Sequence, residues 1–190
     1  MKKKIVLFLL LVISFSCEEY LKEDVKSQVT DSYYSTEQGL YEGVASVYTT
    51  CRELVREPLF RVSQLSDLAD FAASYTGNVK SHTVSVDNSV LEDVWVNVYT
   101  GIMRADRMID YIENNTEQDE TPLVYLAELR TLRSWFYWIA VELWGKQAHF
   151  TNGIVYEEYS EAMNEINQQP VEVFYDQILE DVDYGIENLP

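Results

Sequence analysis

A cysteine close to the amino terminus stands in a setting that favours covalent acylation. Cys17 follows the small residue Ser16 and a short apolar run, residues 5–13, which is itself preceded by lysines at positions 2–4. This order is typical of an export signal, and the apolar run is shorter than the roughly 20 residues that span a bilayer. We expect cleavage after Ser16 and attachment of acyl chains to Cys17, which would anchor the chain to a membrane. The alternative is a plain secretory signal in which Cys17 is incidental.

A polar stretch in the middle of the sequence carries side chains suited to binding a ligand. Residues 74–88 are rich in Ser, Thr, Val and Asn and lack a helical period, and Gly77-Asn78 signals a turn. We expect an exposed loop, and loops held by rigid helices are where binding residues concentrate. The candidate ligand-binding residues here are Tyr75, Asn78 and His82. A lone histidine without a second ligand at metal spacing does not predict a metal site.

The sequence contains no motif that predicts catalysis. It has no nucleophile elbow, no HExxH zinc motif, no CxxC pair and no phosphate-binding glycine loop. A surface glycoside hydrolase would need two opposed carboxylates, but with 32 acidic residues such pairs carry no information. Cys51 has no catalytic motif near it and is expected to be a small buried apolar residue. We expect a protein that is not an enzyme and uses no cofactor or metal.

Hydrophobic periods predict the helices that must position these residues. In chain order, the predicted helices cover residues 35–54, 59–73, 88–114, 121–145 and 170–189. Ser35, Ser89 and Thr121 stand where helix-capping side chains are expected. Residues 149–153 are predicted to form a turn. Residues 155–169 are polar and weakly periodic, so we expect a loop with a short helical turn.

The helix predicted for residues 121–145 organises the array. Gly145 is suited to closing it in a left-handed conformation. Its large rings fall on more than one face: Trp135, Tyr137, Trp138 and Trp144. A helix with rings on several faces must pack against neighbours on several sides, which predicts an inner helix of an all-α protein. Three charged residues of this helix need partners nearby: Glu128, Arg130 and Arg133.

The overall charge restricts the class of partner. The 190 residues include 32 acidic and 14 basic side chains, for a net charge of −18. Such an acidic chain is not expected to bind nucleic acid through a basic surface. Its hydrophobic content of 47% excludes a disordered tail, and its length suits one domain with a substantial core.

Several short motifs, taken in order, resemble a known family. Residues 128–137, ELRTLRSWFY, with Leu143-Trp144-Gly145, are similar to the E-A-x-x-x-R-A-x-x-Y and (F/W)-G pattern of SusD/RagB-type lipoproteins. Residues 95–106 resemble that family's W-x-x-x-Y-x-x-I-x-R-A/C-N segment, with Asp106 in place of the usual Asn. Ser66-Asp67 fits its S-D element, which makes Asp67 a further candidate ligand-binding residue beside the alternative of a solvated acid. Residues 17–21, CEEYL, resemble its amino terminus.

This resemblance implies both an architecture and a role. Family members are nutrient-binding partners of TonB-dependent, SusC-like transporters in the outer membrane of Bacteroidetes. By resemblance, residues 1–16 are a lipoprotein signal, residues 17–34 an extended lipid-anchored segment, and residues 35–190 a helical domain. That domain would consist of tetratricopeptide-like helical pairs with a polar loop insertion, and would lack the family's carboxy-terminal portion.

The function implied is capture of an oligosaccharide or peptide at the cell surface for uptake. The acidic pair Glu18-Glu19 after the acylated cysteine resembles a surface-export signal, so the lipid-anchored protein is expected to face outwards from the outer membrane. The alternative is a truncated or adaptor lipoprotein that contacts a transporter without a ligand site of its own.

Overall fold

The computed structural model describes residues 31–56, 58–63, 66, 83–85, 87–117, 119–151, 153–155 and 167–190. Within these ranges the chain is almost entirely helical. The helices are α1 (Asp31–Tyr34), α2 (Glu37–Arg56), α3 (Pro58–Val62), α4 (Ser89–Asn115), α5 (Glu120–Trp144) and α6 (Val171–Asn188). A 3-10 turn, Gly145–Gln147, follows α5, and two short strands, β1 (His149–Phe150) and β2 (Asn167–Gln168), pair antiparallel.

The helix ends lie within two residues of the predicted ones for α2, α4, α5 and α6, but the three predicted caps are wrong. Asn88, not Ser89, caps α4, because its side-chain oxygen accepts from the backbone amides of Val90 at 3.0 Å and Leu91 at 3.4 Å. Helix α5 begins at Glu120, so Thr121 lies inside it, and Asp119 makes no side-chain capping bond. In α2 the cap is one residue later than predicted, since Thr36 Oγ1 accepts from Gly39 N at 3.0 Å.

Gly145 ends α5 where the sequence predicted, but not in the predicted left-handed helical conformation. Its φ of 52° with ψ of −128° is a combination that side chains with a Cβ rarely adopt. Its amide still bonds to Val141 O, so the helix closes without an unsatisfied donor at this residue. The chain then reverses through the 3-10 turn into β1.

The long helices form an antiparallel array with α5 inside it. Helices α2 and α4 are antiparallel, since Gly43 faces Met108 while Thr50 contacts Arg104. Helix α5 packs on α2, α4 and α6, as expected for an inner helix. The buried residues of α5 lie on several of its faces: Leu126, Ala127, Leu129, Arg133, Ser134, Phe136, Tyr137, Ile139, Ala140 and Val141.

Three local features depart from the prediction. Residues 31–34 form a helical turn instead of an extended segment, because the Tyr34 ring packs 5.4 Å from that of Tyr111. Residues 149–150 and 167–168 pair as strands where a turn and a loop were predicted. Cys51 is half-buried instead of buried, and burial raises the pKa of its thiol to about 11.

A close approach between α4 and α5 generates a stability prediction. A methyl group added at Gly101 of α4 would overlap the fully buried ring of Phe136 on α5. Because that ring has no space to move into, we expect Gly101→Ala to lower the free energy of unfolding by at least about 1 kcal/mol, despite the better helix propensity of alanine. Urea denaturation followed by circular dichroism measures the change.

Gly43→Ala is the matched control. Its added methyl would meet the end of the flexible Met108 side chain, which can move aside, and would lie 3.1 Å from a ring carbon of Tyr34. We expect its effect on the free energy of unfolding to stay within about 1 kcal/mol of zero. Equal destabilisation by the two substitutions would contradict this account of the α4–α5 contact.

Candidate functional site

The predicted site residues of the central loop and the amino terminus lie outside the described residues. These are Asp67, Tyr75, Asn78, His82 and the acylation residue Cys17. The helices on either side of the central segment are described: α3 ends at Val62, and α4 begins at Ser89. Helix α3 packs on α4, so the chain leaves and re-enters the helical array at the amino-terminal end of α4.

An aromatic cluster occupies this same end of the array. Trp95 of α4 lies with its ring 4.9 Å from that of Trp144, 4.5 Å from that of Tyr99 and 5.1 Å from the imidazole of His149. Tyr99 is fully buried, whereas Trp95, Trp144 and His149 are only half-buried. Part of each of these three rings therefore remains available to a ligand or to a neighbouring segment.

The cluster is held in place by hydrogen bonds to β1. The Tyr99 hydroxyl accepts from the backbone amide of His149 at 2.6 Å and donates to its carbonyl oxygen at 3.1 Å. Burial lowers the pKa of His149 below its usual value, which favours the neutral imidazole. Its Nδ1 is buried and has no hydrogen-bond partner among the described residues. The cluster is thus a rigid, uncharged aromatic surface.

Pairing of β1 with β2 brings together the two ends of a second segment. His149 faces Gln168, and Phe150 faces Asn167. The chain between the strands therefore leaves and returns beside the aromatic cluster. Two segments that contain polar sequence, residues 64–88 and residues 151–166, are consequently attached at one end of the array. Sequence reasoning missed this juxtaposition, because two-residue strands leave no alternating pattern to detect.

A buried ion-pair network lies beneath this end of the array. Arg133 of α5 donates from Nε and Nη2 to the two carboxylate oxygens of Asp181, at 2.8 and 2.7 Å, and from Nη1 to Asp106 at 2.7 Å. Its side chain is 8% exposed, and those of Asp106 and Asp181 are 0% exposed. One guanidinium thus joins α4, α5 and α6.

The same network extends to the chain that follows β1. Asp106 also accepts from the Thr151 hydroxyl at 2.8 Å, and that hydroxyl lies 2.5 Å from the Tyr137 hydroxyl. The Tyr137 oxygen in turn accepts from the Thr151 amide at 3.3 Å. Thr151 therefore fixes the start of the second polar segment to the interior.

Burial and pairing act in opposite directions on the charges of this network. Burial alone would lower the pKa of Arg133, but the ion pairs with Asp181 and Asp106 outweigh it and raise that pKa above its ordinary value. Burial raises the pKa of Asp106, and the Arg133 cation opposes this rise only in part. With one cation between two carboxylates, Asp106 is the member whose charge is least compensated.

The charged residues of α5 have the partners that the sequence analysis expected. Arg130 donates to Glu113 at 2.7 Å and lies 4.4 Å over the ring of Tyr184. Glu128 has Tyr48 as its partner. Burial and the neighbouring Glu128 carboxylate raise the pKa of the Tyr48 hydroxyl to about 12. The partners Asp106, Thr151 and Asp181 could not be assigned from the sequence, since a chain with 32 acidic residues offers many candidates.

A separate groove lies at the opposite end of α4. It has a volume of about 320 Å³ and is lined by residues that include Tyr34, Tyr111, Thr116 and Pro122. Tyr111 is 16 residues beyond Trp95, roughly 24 Å along the helix. Thr116 Oγ1 in this groove donates to Ile112 O at 2.7 Å and so serves its own helix end. The groove is therefore distinct from the end that carries the polar segments.

The described residues offer positioned aromatic rings but no reactive group. They contain no cluster of His, Cys, Asp or Glu suited to holding a metal ion. The Arg133 network is enclosed, so it can position the Thr151 segment but cannot contact a ligand. Among the described helices, none combines the length and apolarity needed to cross a membrane.

The asymmetry of the network predicts unequal effects of its substitutions. Arg133→Met leaves two carboxylates buried without a cation, which should lower the free energy of unfolding by about 3–5 kcal/mol. Asp106→Asn removes the surplus negative charge and keeps both bonds from Arg133 to Asp181, so its cost should not exceed about 1 kcal/mol. Urea denaturation at neutral pH measures both, and an Asp106→Asn cost equal to that of Arg133→Met would contradict the charge assignment.

The raised pKa of Asp106 also predicts a pH dependence. The stability that its protonation contributes is fully present below the ordinary value of 3.8 and is lost as the pH rises through the higher folded-state pKa. Wild type should therefore lose stability relative to Asp106→Asn as the pH is raised from that value towards neutrality. Urea denaturation of both proteins across this range measures the difference, and the opposite slope would show that pairing outweighs burial.

Comparisons with known proteins agree with this architecture. Residues 19–190 match the SusD-like family model described as "Starch-binding associating with outer membrane". The SusD-like protein P25 of Formosa agariphila is 24% identical over 172 residues, covering 82% of this chain and 33% of P25.

Two solved structures share the fold. A laminarin-binding SusD-like protein superposes with a TM-score of 0.63 at 21% identity, covering 82% of this chain and 34% of that one. A SusD homologue from Bacteroides thetaiotaomicron gives a TM-score of 0.59 at 18% identity, covering 87% and 33%. The predicted all-α, tetratricopeptide-like architecture is confirmed. This chain spans about a third of the length of these relatives, and its match over residues 19–190 shows that it belongs to the SusD-like family.

Proposed function

We propose that this chain is part of a lipid-anchored outer-membrane protein that binds an oligosaccharide and passes it to a TonB-dependent, SusC-like transporter. Membership of the SusD-like family, whose model is described as starch-binding, carries the proposal. The name of one structural neighbour, a laminarin-binding SusD-like protein, favours a glycan over a peptide.

The aromatic end of the array has the chemistry that glycan binding needs. Sugar rings present C–H faces that stack on aromatic side chains, and Trp95, Trp144 and His149 are rigidly held and half-buried there. The segment that carries Tyr75, Asn78 and His82 enters α4 at this end, and Asp67 lies in it too. We place the ligand site where these polar residues meet the aromatic cluster.

The attachment to the membrane depends on Cys17. We propose that the chain is cleaved after Ser16, acylated at Cys17 and displayed outwards from the outer membrane. The leader pattern of residues 2–16 and the family description support this proposal. The acidic composition suits an exposed, soluble domain tethered by acyl chains.

An adaptor role is the second candidate. The chain spans about a third of its relatives, so the residues that complete a ligand site in those proteins can lie outside the matched third. In that case the helical array would contact the transporter and would bind no ligand itself. Direct titration of the chain with a glycan separates the two candidates.

The glycan proposal predicts saturable binding that depends on the aromatic end. The chain from residue 18 should bind laminarin oligosaccharides in isothermal titration calorimetry. Tyr75→Ala and Trp144→Ala should each weaken the affinity by roughly tenfold, about 1.4 kcal/mol, because each removes a ring from the site. Tyr41→Ala is the control, since Tyr41 is an exposed tyrosine on α2, away from this end, and it should leave the affinity unchanged.

Four other results would each redirect the proposal. Unchanged affinity in both variants, with the fold retained, would show that the site lies elsewhere. Heat released with short peptides and not with oligosaccharides would replace the glycan with a peptide. Absence of binding to either ligand would favour the adaptor role, and turnover of laminarin would show an enzyme.

A further inference from the structure

Helix α6 carries a buried stripe and, beside it, an apolar stripe that is covered only in part. Its buried stripe consists of Phe174, Ile178, Asp181 and Gly185, which pack towards α5. A second stripe follows one residue later at each step: Tyr175, Leu179, Val182 and Ile186, called here the outer stripe. At 100° per residue it lies about a quarter-turn around the helix from the buried one.

The outer stripe is the most exposed aliphatic surface in the described part of the chain. Leu179 is 58% exposed and Ile186 is 75% exposed. Tyr175 lies at the end of the stripe nearest the amino terminus of α6, and its hydroxyl donates to Glu142 of α5 at 2.7 Å. Trp138, one turn before Glu142 on the same face of α5, is 46% exposed. The outer stripe and Trp138 therefore border one apolar groove between α5 and α6.

Carboxylates line the far edge of this groove. Helix α6 contains no lysine or arginine, and its exposed acids are Glu172, Asp176, Glu180, Asp183 and Glu187. At 100° per residue they fall on the side of the outer stripe that is turned away from the buried stripe, and one of them, Glu180, lies 3.7 Å from Arg130 of α5. A helix that covers the outer stripe must accordingly carry basic residues along one edge.

We propose that the outer stripe is the docking face for a further amphipathic helix with a basic edge, supplied by polypeptide that follows Pro190 in a longer form of this protein. The relatives are about three times as long as the part that this chain matches, so they carry ample sequence for such a helix. In stacked helical arrays an outermost helix needs a polar outer face, whereas α6 presents leucine and isoleucine. Trp138 would anchor the docked helix from the α5 side.

Charge argues against a second copy of this chain as the occupant. Antiparallel pairing of two outer stripes would bring two rows of five exposed carboxylates close together. Like charges at that separation oppose association at neutral pH. An amphipathic helix with a basic edge would cover the apolar stripe and would also pair its positive charges with the carboxylates beside it.

The test compares the same substitutions in two lengths of the protein. Leu179→Gln and Ile186→Gln are made in the chain of residues 18–190 and in the full product of the gene as isolated from its source organism. Glutamine keeps helix propensity and removes the apolar contact. The control is Val55→Gln on α2, because Val55 is similarly exposed at 53%. Thermal denaturation gives the Tm of each protein.

The proposal expects a difference that depends on length. In residues 18–190 the Tm should change by less than about 1 °C, because both side chains are exposed, whereas in the longer product each substitution should lower it by at least about 4 °C. Asp183→Lys should likewise lower the Tm of the longer product alone, because Asp183 is an exposed acid on the same side of α6. Val55→Gln should leave both unchanged.

Three outcomes would overturn it. An unchanged Tm in the longer product, or a gene product that ends at residue 190, would remove the proposed occupant. Self-association of residues 18–190 that is abolished by Leu179→Gln in analytical ultracentrifugation would instead make a second copy the occupant. None of these readouts depends on a glycan, so they are independent of the proposed ligand.

Discussion

The rest of the structure depends on the buried ion pairs that the Arg133 guanidinium makes. A guanidinium has five donors in a fixed plane, and here three of its nitrogens reach Asp181 and Asp106 from a single side chain of α5. Desolvating one cation and two carboxylates is expensive, so the network imposes one relative placement of α4, α5 and α6 more than it adds stability. Through Asp106 and Thr151 the same placement reaches the segment after β1.

The hydrogen bonds of the Arg133 network connect the interior to the end of the array where the aromatic cluster lies. Tyr99 and Tyr137 both use their hydroxyls to hold the backbone between His149 and Thr151. The half-buried ring of Trp95 then packs against both His149 and Trp144. A binding surface built on helices in this way keeps its shape when the polar segments attached to it vary in sequence.

Much of the fold could be predicted because helical periods are local. The bounds of α2, α4, α5 and α6, the inner position of α5 and the glycine at its end all follow from spacing and residue type. The partners of Arg133 could not be predicted, because they lie 27 and 48 residues away in sequence among many equivalent acids. Asn88 was missed as a cap because Ser89 and Glu92 offered an equally plausible capping box.

The candidate site was predictable only in part. Aromatic content and a polar loop pointed to a binding surface, and the order of the family motifs pointed to a helical array. The pairing of β1 with β2 brings the two ends of the second segment together beside Trp95 and His149. It involves only two residues in each strand, so no alternating pattern in the sequence predicts it. The apolar outer stripe of α6 was visible in the sequence, but its exposure becomes evident only once the buried stripe has been assigned.

The central claim is that the protein is a binding protein attached to the outer membrane through Cys17. The most direct test is the intact mass of the native protein extracted with detergent from washed outer membranes. We predict a mass that lacks residues 1–16 and includes acyl chains on Cys17. An unacylated mass, or recovery of the protein without detergent, would contradict the claim.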